Sequence, residues 1–167
     1  MNVTLVPCNR ETDKDLFFKN LGLLSTWRGE HSHHLVESYK YWLETPDESG
    51  QFFKIVSDGC VIGITGYWLI DDVSAGLRWH GIIPLFQKSG AGSTALRLLI
   101  KELPTNVKQL HELTITKKPQ AFFKNNDFKL NTNPEDIVKV IKSSGGDDYV
   151  SLLTYEVESC NAIMETC

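Results

Sequence analysis

Hydrophobic and polar positions follow two different periods along this chain, and their order predicts an α/β protein. Alternation with a period of two indicates half-buried strands, whereas apolar residues at i, i+3, i+4 and i+7 indicate one face of a helix. Strands are predicted over residues 2–7, 51–57, 60–70, 75–84, 109–116, 127–130 and 149–157. Helices are predicted after Thr12, from Ser32 to Pro46, from Ser93 to Pro104, around Pro119, and from Asn133 to Gly145. The predicted order is β-α-α-β-β-β-α-β-α-β-α-β.

The three strands in the middle of the chain are predicted to form an antiparallel meander. Asp58-Gly59 joins the strands 51–57 and 60–70, and this pair suits a type I′ turn because both residues tolerate a positive φ. Asp71-Asp72 begins the next turn. The strand 75–84 is therefore expected to run antiparallel to the strand before it.

The composition is that of a globular protein. Of the 167 residues, 41% are hydrophobic and 23% are charged, so the chain can form a core without disulfides or metals. No internal repeat or linker interrupts it, and we expect one domain over residues 1–157, followed by a C-terminal tail over 158–167. The four cysteines are far apart, without the CxxC spacing of a zinc site or the density of a disulfide scaffold.

Charge and the N-terminal sequence narrow the expected partners and location. With 17 basic and 21 acidic residues the formal charge is −4, which argues against general binding to nucleic acids or anionic membranes. The N-terminus has no basic region followed by an apolar signal core, and no apolar run is long enough to span a membrane. We therefore expect a cytoplasmic protein.

A glycine-rich turn, Gln87-Lys88-Ser89-Gly90-Ala91-Gly92, lies between the strand 75–84 and the following helix. A helix N-terminus presents unpaired backbone N–H groups at the positive end of the helix dipole, so a strand-to-helix turn of this kind can bind phosphate. The two glycines allow the backbone to approach a ligand closely, and Lys88 adds a cation. The sequence is neither a P-loop nor GxGxxG. A sharp turn without a ligand is the structural alternative.

The turn resembles the Q-x-x-G-x-G motif of the GCN5-related N-acetyltransferase (GNAT) family. The stretch "IIPLFQKSGAGSTAL" is similar to that family's strand end, proline, pyrophosphate turn and helix in unbroken order. The later "LTITKKPQAFFKNNDF" resembles its second conserved block, a strand followed by a short helix and an aromatic residue. The order of elements matches the family fold over residues 2–157. The resemblance implies a mixed, mostly antiparallel central sheet of six to seven strands, flanked by helices and splayed between strands four and five.

The resemblance also implies acetyl-CoA as the co-substrate. In the family, backbone N–H groups of the turn bind the pyrophosphate of coenzyme A, and the pantetheine arm pairs with the backbone where strand four parts from strand five. The implied cofactor-binding residues are Ile82, Ile83, Gln87, Lys88, Ser89, Gly90, Ala91, Gly92, Ser93, Thr116 and Phe123. The N–H of Ile83 or of its neighbour is the implied donor to the thioester carbonyl, where it would stabilise the oxyanion.

An amine attacks a thioester only when it is neutral, so the reaction requires a base or a chain of waters. Members of the family often place the base on the fourth strand before a bulge, and His80 is the candidate at that place. By the period of two, His80 shares a face with Arg78 until a bulge changes the phase. A half-buried strand histidine with a satisfied ring is the alternative. Rival bases are Glu30, Glu37, Asp71 and Asp72.

The family's general acid is usually a tyrosine four residues before a Gly-Phe pair. Here that spacing leads from Asp127-Phe128 back to Phe123, which cannot donate a proton. The resemblance therefore implies that the role is vacant, filled by water or moved elsewhere. Thr116, where the family often has asparagine, is a further departure. Because a general acid contributes typically about 10²–10⁴-fold, its loss predicts slower chemistry rather than none.

A polar loop between the first two predicted helices is the predicted wall of the acceptor pocket. The stretch "WRGEHSHH", residues 27–34, contains Arg28, Glu30 and His33, which are predicted substrate-binding residues together with Arg78. The histidines of this loop lack a distant ligand with metal-site spacing, so we expect no metal. An exposed polar loop with a helix cap is the alternative.

The sequence thus predicts an N-acyltransferase that passes an acetyl group from acetyl-CoA to an amine by direct attack in a ternary complex. The alternative is a non-catalytic or regulatory acyl-CoA binding protein that kept the turn after losing the tyrosine. The sequence does not distinguish between four kinds of acceptor: a small-molecule amine, a peptide N-terminus, a protein lysine and aminoacyl-tRNA. The sequence also leaves the oligomeric state undecided, and a homodimer is one possibility because dimers are common among such proteins.

Overall fold

The computed structural model describes residues 1–24, 30–45, 49–145 and 149–158. The predicted C-terminal tail lies outside these residues apart from Glu158. Contacts group the chain into two compact units. The first contains Met1–Tyr67 and Arg78–Glu102, and the second contains Trp68–Leu77 and the described residues from Leu103 onwards.

Eight strands and six α-helices are present in the described residues. In chain order they are β1 (Val3–Pro7), α1 (Leu16–Lys19), α2 (Leu21–Leu24), α3 (Glu30–Glu44), β2 (Gly50–Ser57), β3 (Cys60–Leu69), β4 (Ser74–Leu77), β5 (Gly81–Ile82), α4 (Ala91–Glu102), β6 (Gln109–Thr114), α5 (Gln120–Lys124), β7 (Lys129–Asn131), α6 (Pro134–Ser144) and β8 (Ser151–Glu156). A 3₁₀ turn over Pro84–Phe86 connects β5 to the glycine-rich turn. Among the described helices, none combines the length and the apolar character needed to cross a membrane.

In the first unit, an antiparallel sheet places β2 between β1 and β3, and β5 pairs antiparallel with β3. Asp58 and Gly59 have φ values of 49° and 82°, as the predicted type I′ turn requires. Gly63 lies opposite Ile82, and a Cβ at Gly63 would collide with the carbonyl oxygen of Gly81. A glycine at this position therefore allows β5 to approach β3 closely.

Two buried clusters hold the helices of the first unit on its sheet. The predicted stripe of α3 is confirmed, since Leu35, Tyr39 and Trp42 are buried with Phe52 of β2. The ring centroids of Tyr39 and Phe52 are 5.3 Å apart, in an edge-on arrangement that aromatic pairs favour. The second cluster contains Ile55, Ile62, Ile82, Ala91 and Ala95. Because Ala91 and Ala95 lie in the first turns of α4, this cluster seats the start of α4 on β5.

The predicted strand 75–84 is interrupted in the structure. β4 ends at Leu77 and β5 begins at Gly81. Between them Trp79 adopts a left-handed backbone with φ of 48°, which is uncommon for a bulky residue. This residue breaks the alternation of faces between Arg78 and His80, so the predicted shared face does not extend across it.

In the second unit, β4 pairs in parallel with β6, and β8 pairs antiparallel with both β6 and β7. The parallel ladder runs from Ser74 opposite Gln109 to Gly76 opposite His111 and ends there. Both predicted ends of α6 are confirmed. The Asn133 side chain accepts a hydrogen bond from the N–H of Glu135, and Gly145 ends the helix with φ of 74°.

Three predicted helix boundaries differ from the structure. The helix predicted after Thr12 is two short helices, because Asn20 leaves helical geometry with φ of −116° and ψ of 69°. α3 begins at Glu30, so Ser32 lies inside it rather than at its cap. α4 begins at Ala91 instead of Ser93. Periodicity locates a helix better than its first residue, since the first turn is decided by capping contacts.

Candidate functional site

The glycine-rich turn leads directly into α4 and has the backbone of an anion-binding loop. Lys88 and Gly90 are both left-handed, with φ values of 62° and 86°. Left-handed residues alternating with ordinary ones direct successive N–H groups to one side and form an anion-binding concavity. No described atom lies within 4 Å of a Cβ built on Gly90, so this part of the turn is open. The turn therefore fits a phosphate group by its shape and its backbone donors.

Side chains tie this turn to its surroundings. Ser89 Oγ donates to the carbonyl of Phe86 and accepts from the N–H of Ala91 at 3.4 Å. The side-chain amide of Gln87, the first residue of the motif, donates to the carbonyl of Ile82 at 2.8 Å. Gln87 therefore braces the turn against β5.

Replacing Gln87 with leucine is expected to lower the free energy of unfolding by about 1 kcal/mol, because the carbonyl of Ile82 loses its donor. If the turn binds acetyl-CoA, as the resemblance implies, we also expect that binding to weaken, since the turn loses a contact with β5. Urea unfolding and a thermal shift with acetyl-CoA measure the two effects. Gln109→Leu is the control, because Gln109 also gives one amide hydrogen bond, to Glu156 at an exposed site. Equal coenzyme binding by Gln87→Leu and the wild type would contradict the bracing role.

The backbone of β5 offers one edge to β3 and one edge away from it. The N–H of Ile83, the implied oxyanion donor, donates to the carbonyl of Ile62 at 2.8 Å. In an antiparallel ladder neighbouring residues point their backbone groups in opposite directions, so the N–H of Ile82 points away from β3. Of the two adjacent residues named from the sequence, Ile82 is thus the one oriented to donate outside the ladder.

His80 lies between β3 and the first turn of α4. Its Nε2 is 3.0 Å from the carbonyl oxygen of Gly92, and its Nδ1 is 2.9 Å from Oγ1 of Thr65. A carbonyl can only accept, so Nε2 carries the proton and Nδ1 accepts from the Thr65 hydroxyl. Burial lowers the pKa of His80 from its usual 6.5 to about 4, although the Gly92 carbonyl opposes this by favouring the charged form. His80 is therefore neutral at physiological pH, with both ring nitrogens hydrogen-bonded.

Arg78, a predicted substrate-binding residue, packs inside the first unit. Its guanidinium carbon lies 5.2 Å from the ring centroid of Phe52. The backbone N–H of Arg78 donates to the carbonyl of Gly66 at 2.7 Å. Burial lowers the pKa of Arg78 to about 10, with the Tyr41 phenol acting in the opposite direction. The side chain stays a cation at neutral pH and adds positive charge beside an aromatic face.

The predicted acceptor loop lies partly outside the described residues. Arg28 falls in the range 25–29, which is not described, and Glu30 is described only as the first backbone residue of α3. His33 is described: its Nε2 lies 3.1 Å from Oε1 of Glu37, and the two side chains are 72% and 61% exposed. His33 is thus on the exposed surface of α3.

The rival bases Asp71 and Asp72 are exposed residues of the second unit. Asp71 contacts Lys139 at 3.0 Å. Burial raises the pKa of Asp71, but the hydrogen bond from the N–H of Val73 and the ammonium of Lys139 outweigh burial and lower it overall. A carboxylate with a lowered pKa is a weaker base, so Asp71 is poorly suited to take a proton.

The second predicted block lies in the second unit. Thr116 is exposed, whereas Phe123 of α5 is 4% exposed and its ring centroid is 5.3 Å from that of Phe128. Asp127 is left-handed with φ of 67°, a conformation that glycine adopts freely. The aspartate therefore occupies the same kind of turn that the resemblance assigns to a glycine.

Two neighbouring residues of β6 were not singled out from the sequence. Thr154 Oγ1 accepts a hydrogen bond from the Asn131 side chain and lies 2.8 Å from Nδ1 of His111. The other ring nitrogen of His111, Nε2, is buried and has no hydrogen-bond partner in the described part of the chain. Glu112 is partly buried, and burial raises the pKa of its carboxyl well above the usual value. One sequence signal could have identified Glu112: it is a glutamate that shares one face of a strand with Leu110 and Thr114.

A protein-family comparison gives a match over residues 21–128, more than half of the chain, to the acetyltransferase (GNAT) family. The chain belongs to the GNAT family. The matched range includes the whole glycine-rich turn and the second block up to Phe128. In a comparison with curated protein sequences, none matches the chain.

Solved structures share the GNAT fold at low sequence identity. An acetyltransferase of the GNAT family from Desulfovibrio desulfuricans has a TM-score of 0.71 at 16% identity, covering 94% of this chain and 100% of its own. A GNAT acetyltransferase from Elizabethkingia anophelis with acetyl-CoA bound has a TM-score of 0.64 at 16% identity, covering 93% and 98%. A spermidine N-acetyltransferase chimera from Vibrio cholerae and hSSAT has the same TM-score and identity, covering 93% and 96%.

The predicted fold class is therefore confirmed, but the sheet has eight strands instead of the predicted six to seven, because the predicted strand 75–84 is divided into β4 and β5. This GNAT chain has a mixed, mostly antiparallel sheet of eight described strands with flanking helices, and the parallel pair of β4 and β6 fits the predicted splay. Within the described ranges, no group of three or more His, Cys, Asp or Glu side chains is arranged to hold a metal ion. Around the turn of this GNAT domain the structure brings together Gln87 with Ile82, and His80 with Gly92.

Proposed function

We propose that this GNAT protein is an N-acyltransferase that transfers an acetyl group from acetyl-CoA to an amine by direct attack in a ternary complex. The turn from Gln87 to Gly92 carries the proposal, because its left-handed residues, its open face and the start of α4 fit a diphosphate. The structure of the Elizabethkingia relative with acetyl-CoA bound supports the same co-substrate.

The residues of the chain that would act on the co-substrate divide into two groups. Backbone N–H groups from Lys88 to Ser93 would hold the pyrophosphate, and the Lys88 ammonium would add charge. The N–H of Ile82, which points away from β3, would donate to the thioester carbonyl and stabilise negative charge on its oxygen during attack. Such a donor lowers the reaction barrier by roughly a few kcal/mol. The thioester supplies the activated acyl group.

We infer that His80 holds the start of α4 rather than removing the proton from the amine. Its Nε2–H is used by the Gly92 carbonyl, and its Nδ1 accepts from Thr65. A group with a pKa of about 4 is also a poor base for an ammonium whose pKa is near 10. These observations favour the alternative in which the ring is satisfied, and they leave the amine proton to water.

Phe123 favours a second candidate function, acyl-CoA binding without catalysis. A buried phenylalanine at the place of the usual tyrosine removes a proton donor but leaves the coenzyme turn intact. Such a protein would bind acetyl-CoA, and it would release no thiol with any amine. The two functions therefore differ in turnover and not in coenzyme binding.

Acetyl-CoA at about 100 times its dissociation constant is expected to stabilise the protein by about 2.7 kcal/mol, because the folded state alone binds it. A thermal shift measures this effect. As a control, desulfo-CoA and acetyl phosphate are added together in place of acetyl-CoA, because they supply parts of the ligand as separate molecules. Thiol release is then followed with a panel of polyamines, amino acids and peptides. The spermidine N-acetyltransferase with the same fold supports including polyamines. Binding without thiol release would favour the non-catalytic protein, and no shift would reject both.

A further inference from the structure

Three residues of the first unit form a chain of hydrogen bonds from β3 to α4. Oγ1 of Thr65 lies 2.9 Å from Nδ1 of His80, and Nε2 of His80 lies 3.0 Å from the carbonyl oxygen of Gly92. Because this carbonyl can only accept, the proton is on Nε2, and Nδ1 accepts from the Thr65 hydroxyl. The hydrogen bonds are therefore donated in one direction, from Thr65 through His80 to Gly92.

The register of β3 and β5 explains why Thr65 meets His80. The ladder between these strands ends with Ile64 opposite Gly81, so Thr65 and His80 are the next residues of the two segments. Opposed residues of an antiparallel pair carry their side chains on the same face. Thr65 is 0% exposed, so its hydroxyl lies in the core beside the ring.

Gly92 belongs to the first turn of α4, which contains donors for an anion. The N–H of Thr94 donates to the carbonyl of Gly90 at 3.0 Å, and the N–H groups before Thr94 have no partner within the helix. One of these is the N–H of Ser93, which shares a peptide group with the carbonyl of Gly92. Hydrogen bonds in a chain polarise one another, so the bond from His80 to this carbonyl strengthens what the N–H of Ser93 can donate.

We propose that Thr65 is a positioning residue of the diphosphate site. Its hydroxyl fixes the tautomer and the orientation of the His80 ring, and the ring holds the carbonyl of Gly92. The peptide group between Gly92 and Ser93 is thereby held with its N–H available to the diphosphate. The proposal rests on the proposed function, in which the turn and the start of α4 bind the diphosphate of acetyl-CoA. Thr65 acts on the ligand only through His80.

Loss of the Thr65 hydroxyl would disturb the whole chain of hydrogen bonds. In Thr65→Val a methyl group replaces the hydroxyl inside the core, so water has no room to take its place. Nδ1 of His80 is then an acceptor without a donor, which costs more than the hydrogen bond itself contributed. The ring relieves this cost by turning, and its bond to Gly92 loses alignment. We therefore expect an effect on the diphosphate and none on the thioester arm of the ligand.

The test compares acetyl-CoA with two fragments of it. Inorganic pyrophosphate supplies the diphosphate alone, and S-acetylpantetheine supplies the thioester arm without the diphosphate. Calorimetric and NMR titrations measure the dissociation constants. In Thr65→Val we expect those of acetyl-CoA and pyrophosphate to rise about fivefold, as the loss of one net hydrogen bond would give, and that of S-acetylpantetheine to stay unchanged. Thr65→Ser keeps the hydroxyl and should bind all three as the wild type does.

Thr154→Val is the matched control, because the second unit contains a similar pair. Oγ1 of Thr154 lies 2.8 Å from Nδ1 of His111, but Nε2 of His111 has no hydrogen-bond partner in the described part of the chain. Both threonines are buried, so each variant removes a buried hydroxyl from beside a histidine. We expect Thr154→Val to be less stable in urea and to bind pyrophosphate as the wild type does.

Nitrogen-15 NMR of the wild type tests the first step without a variant, since the neutral His80 ring should carry its proton on Nε2. A proton on Nδ1 would overturn the role of Thr65. The same conclusion would follow from unchanged pyrophosphate binding by folded Thr65→Val, from equal weakening of both fragments, or from weakened pyrophosphate binding by Thr65→Ser. Absence of acetyl-CoA binding by the wild type would instead reject the proposed function, and the role of Thr65 with it.

Discussion

Acidification is expected to remove about 3 kcal/mol from the free energy of unfolding through His80 alone, as the pH falls from 6.5 towards 4. The folded state holds this imidazole neutral with a pKa of about 4, whereas the unfolded chain titrates it near 6.5. Between these values the unfolded state binds more protons, so stability rises with pH and is lost as pH falls. Above pH 6.5 both states are neutral and the contribution is complete.

Urea unfolding at about pH 7 and about pH 4.5 measures this contribution when the wild type is compared with His80→Gln. Glutamine keeps a donor and an acceptor but cannot titrate, so the variant should lose less stability on acidification. His33→Gln is the control, because it also removes one histidine, but from an exposed position: the His33 side chain is 72% exposed. An equal pH dependence of His80→Gln and the wild type would show that the ring is not held neutral by the fold.

Turnover across pH provides an independent measurement on the same residue. If His80 only anchors α4, the pH profile of kcat should fall on the acidic side in the same way for the wild type and for His80→Gln. If it is the base, an acidic limb that His80→Gln lacks should appear near pH 4, where the imidazole titrates. Direct observation of the imidazole by NMR in the wild type gives the same pKa without a variant.

Replacing Gly90 with alanine is expected to weaken acetyl-CoA binding about tenfold. Gly90 has φ of 86°, and an L residue in a left-handed conformation costs roughly 1–2 kcal/mol. Because the space around its Cβ is open, the cost comes from the backbone, and the turn relaxes away from the shape that aims its N–H groups. At the concentration that stabilises the wild type by about 2.7 kcal/mol, the variant should gain roughly half as much.

Gly145→Ala is the matched control for this prediction. Gly145 is also left-handed, with φ of 74°, and a Cβ there also meets nothing within 4 Å, but it ends α6 in the second unit. Both variants should lose a similar amount of stability without ligand. Only Gly90→Ala should lose stabilisation by acetyl-CoA, as measured by thermal shift and by calorimetric titration. An equal loss of ligand stabilisation in the two variants would argue against coenzyme binding at the turn.

Features that depend on a few neighbouring residues were predictable. The Asp58-Gly59 turn, the Asn133 cap and the Gly145 end of α6 follow from side chains and φ values that act within a few residues. The glycine-rich turn belongs to the same class. Its two glycines, its position between a strand and a helix and its resemblance to the GNAT motif are all present in the sequence, and the family match confirms the assignment of the chain to that family.

The interruption at Arg78–His80 was not predictable from periodicity. Trp79 is neither glycine nor asparagine, so nothing in its residue type indicates a left-handed backbone. The ring of the following His80 reaches both Thr65 of β3 and Gly92 of α4. The left-handed backbone at Trp79 is therefore found next to contacts between residues that are distant in sequence, and no short-range pattern encodes it.

The sequence by itself determined the family, the order of elements and the place of the glycine-rich turn between a strand and a helix, because each depends on local residue types and spacing. Only the tertiary structure decided the directions in which the pKa values of His80 and Glu112 shift. The pKa of a side chain depends on how much water and charge its distant neighbours leave around it. A histidine that the sequence offers as a base is held neutral between two hydrogen bonds, and burial raises the pKa of the Glu112 carboxyl.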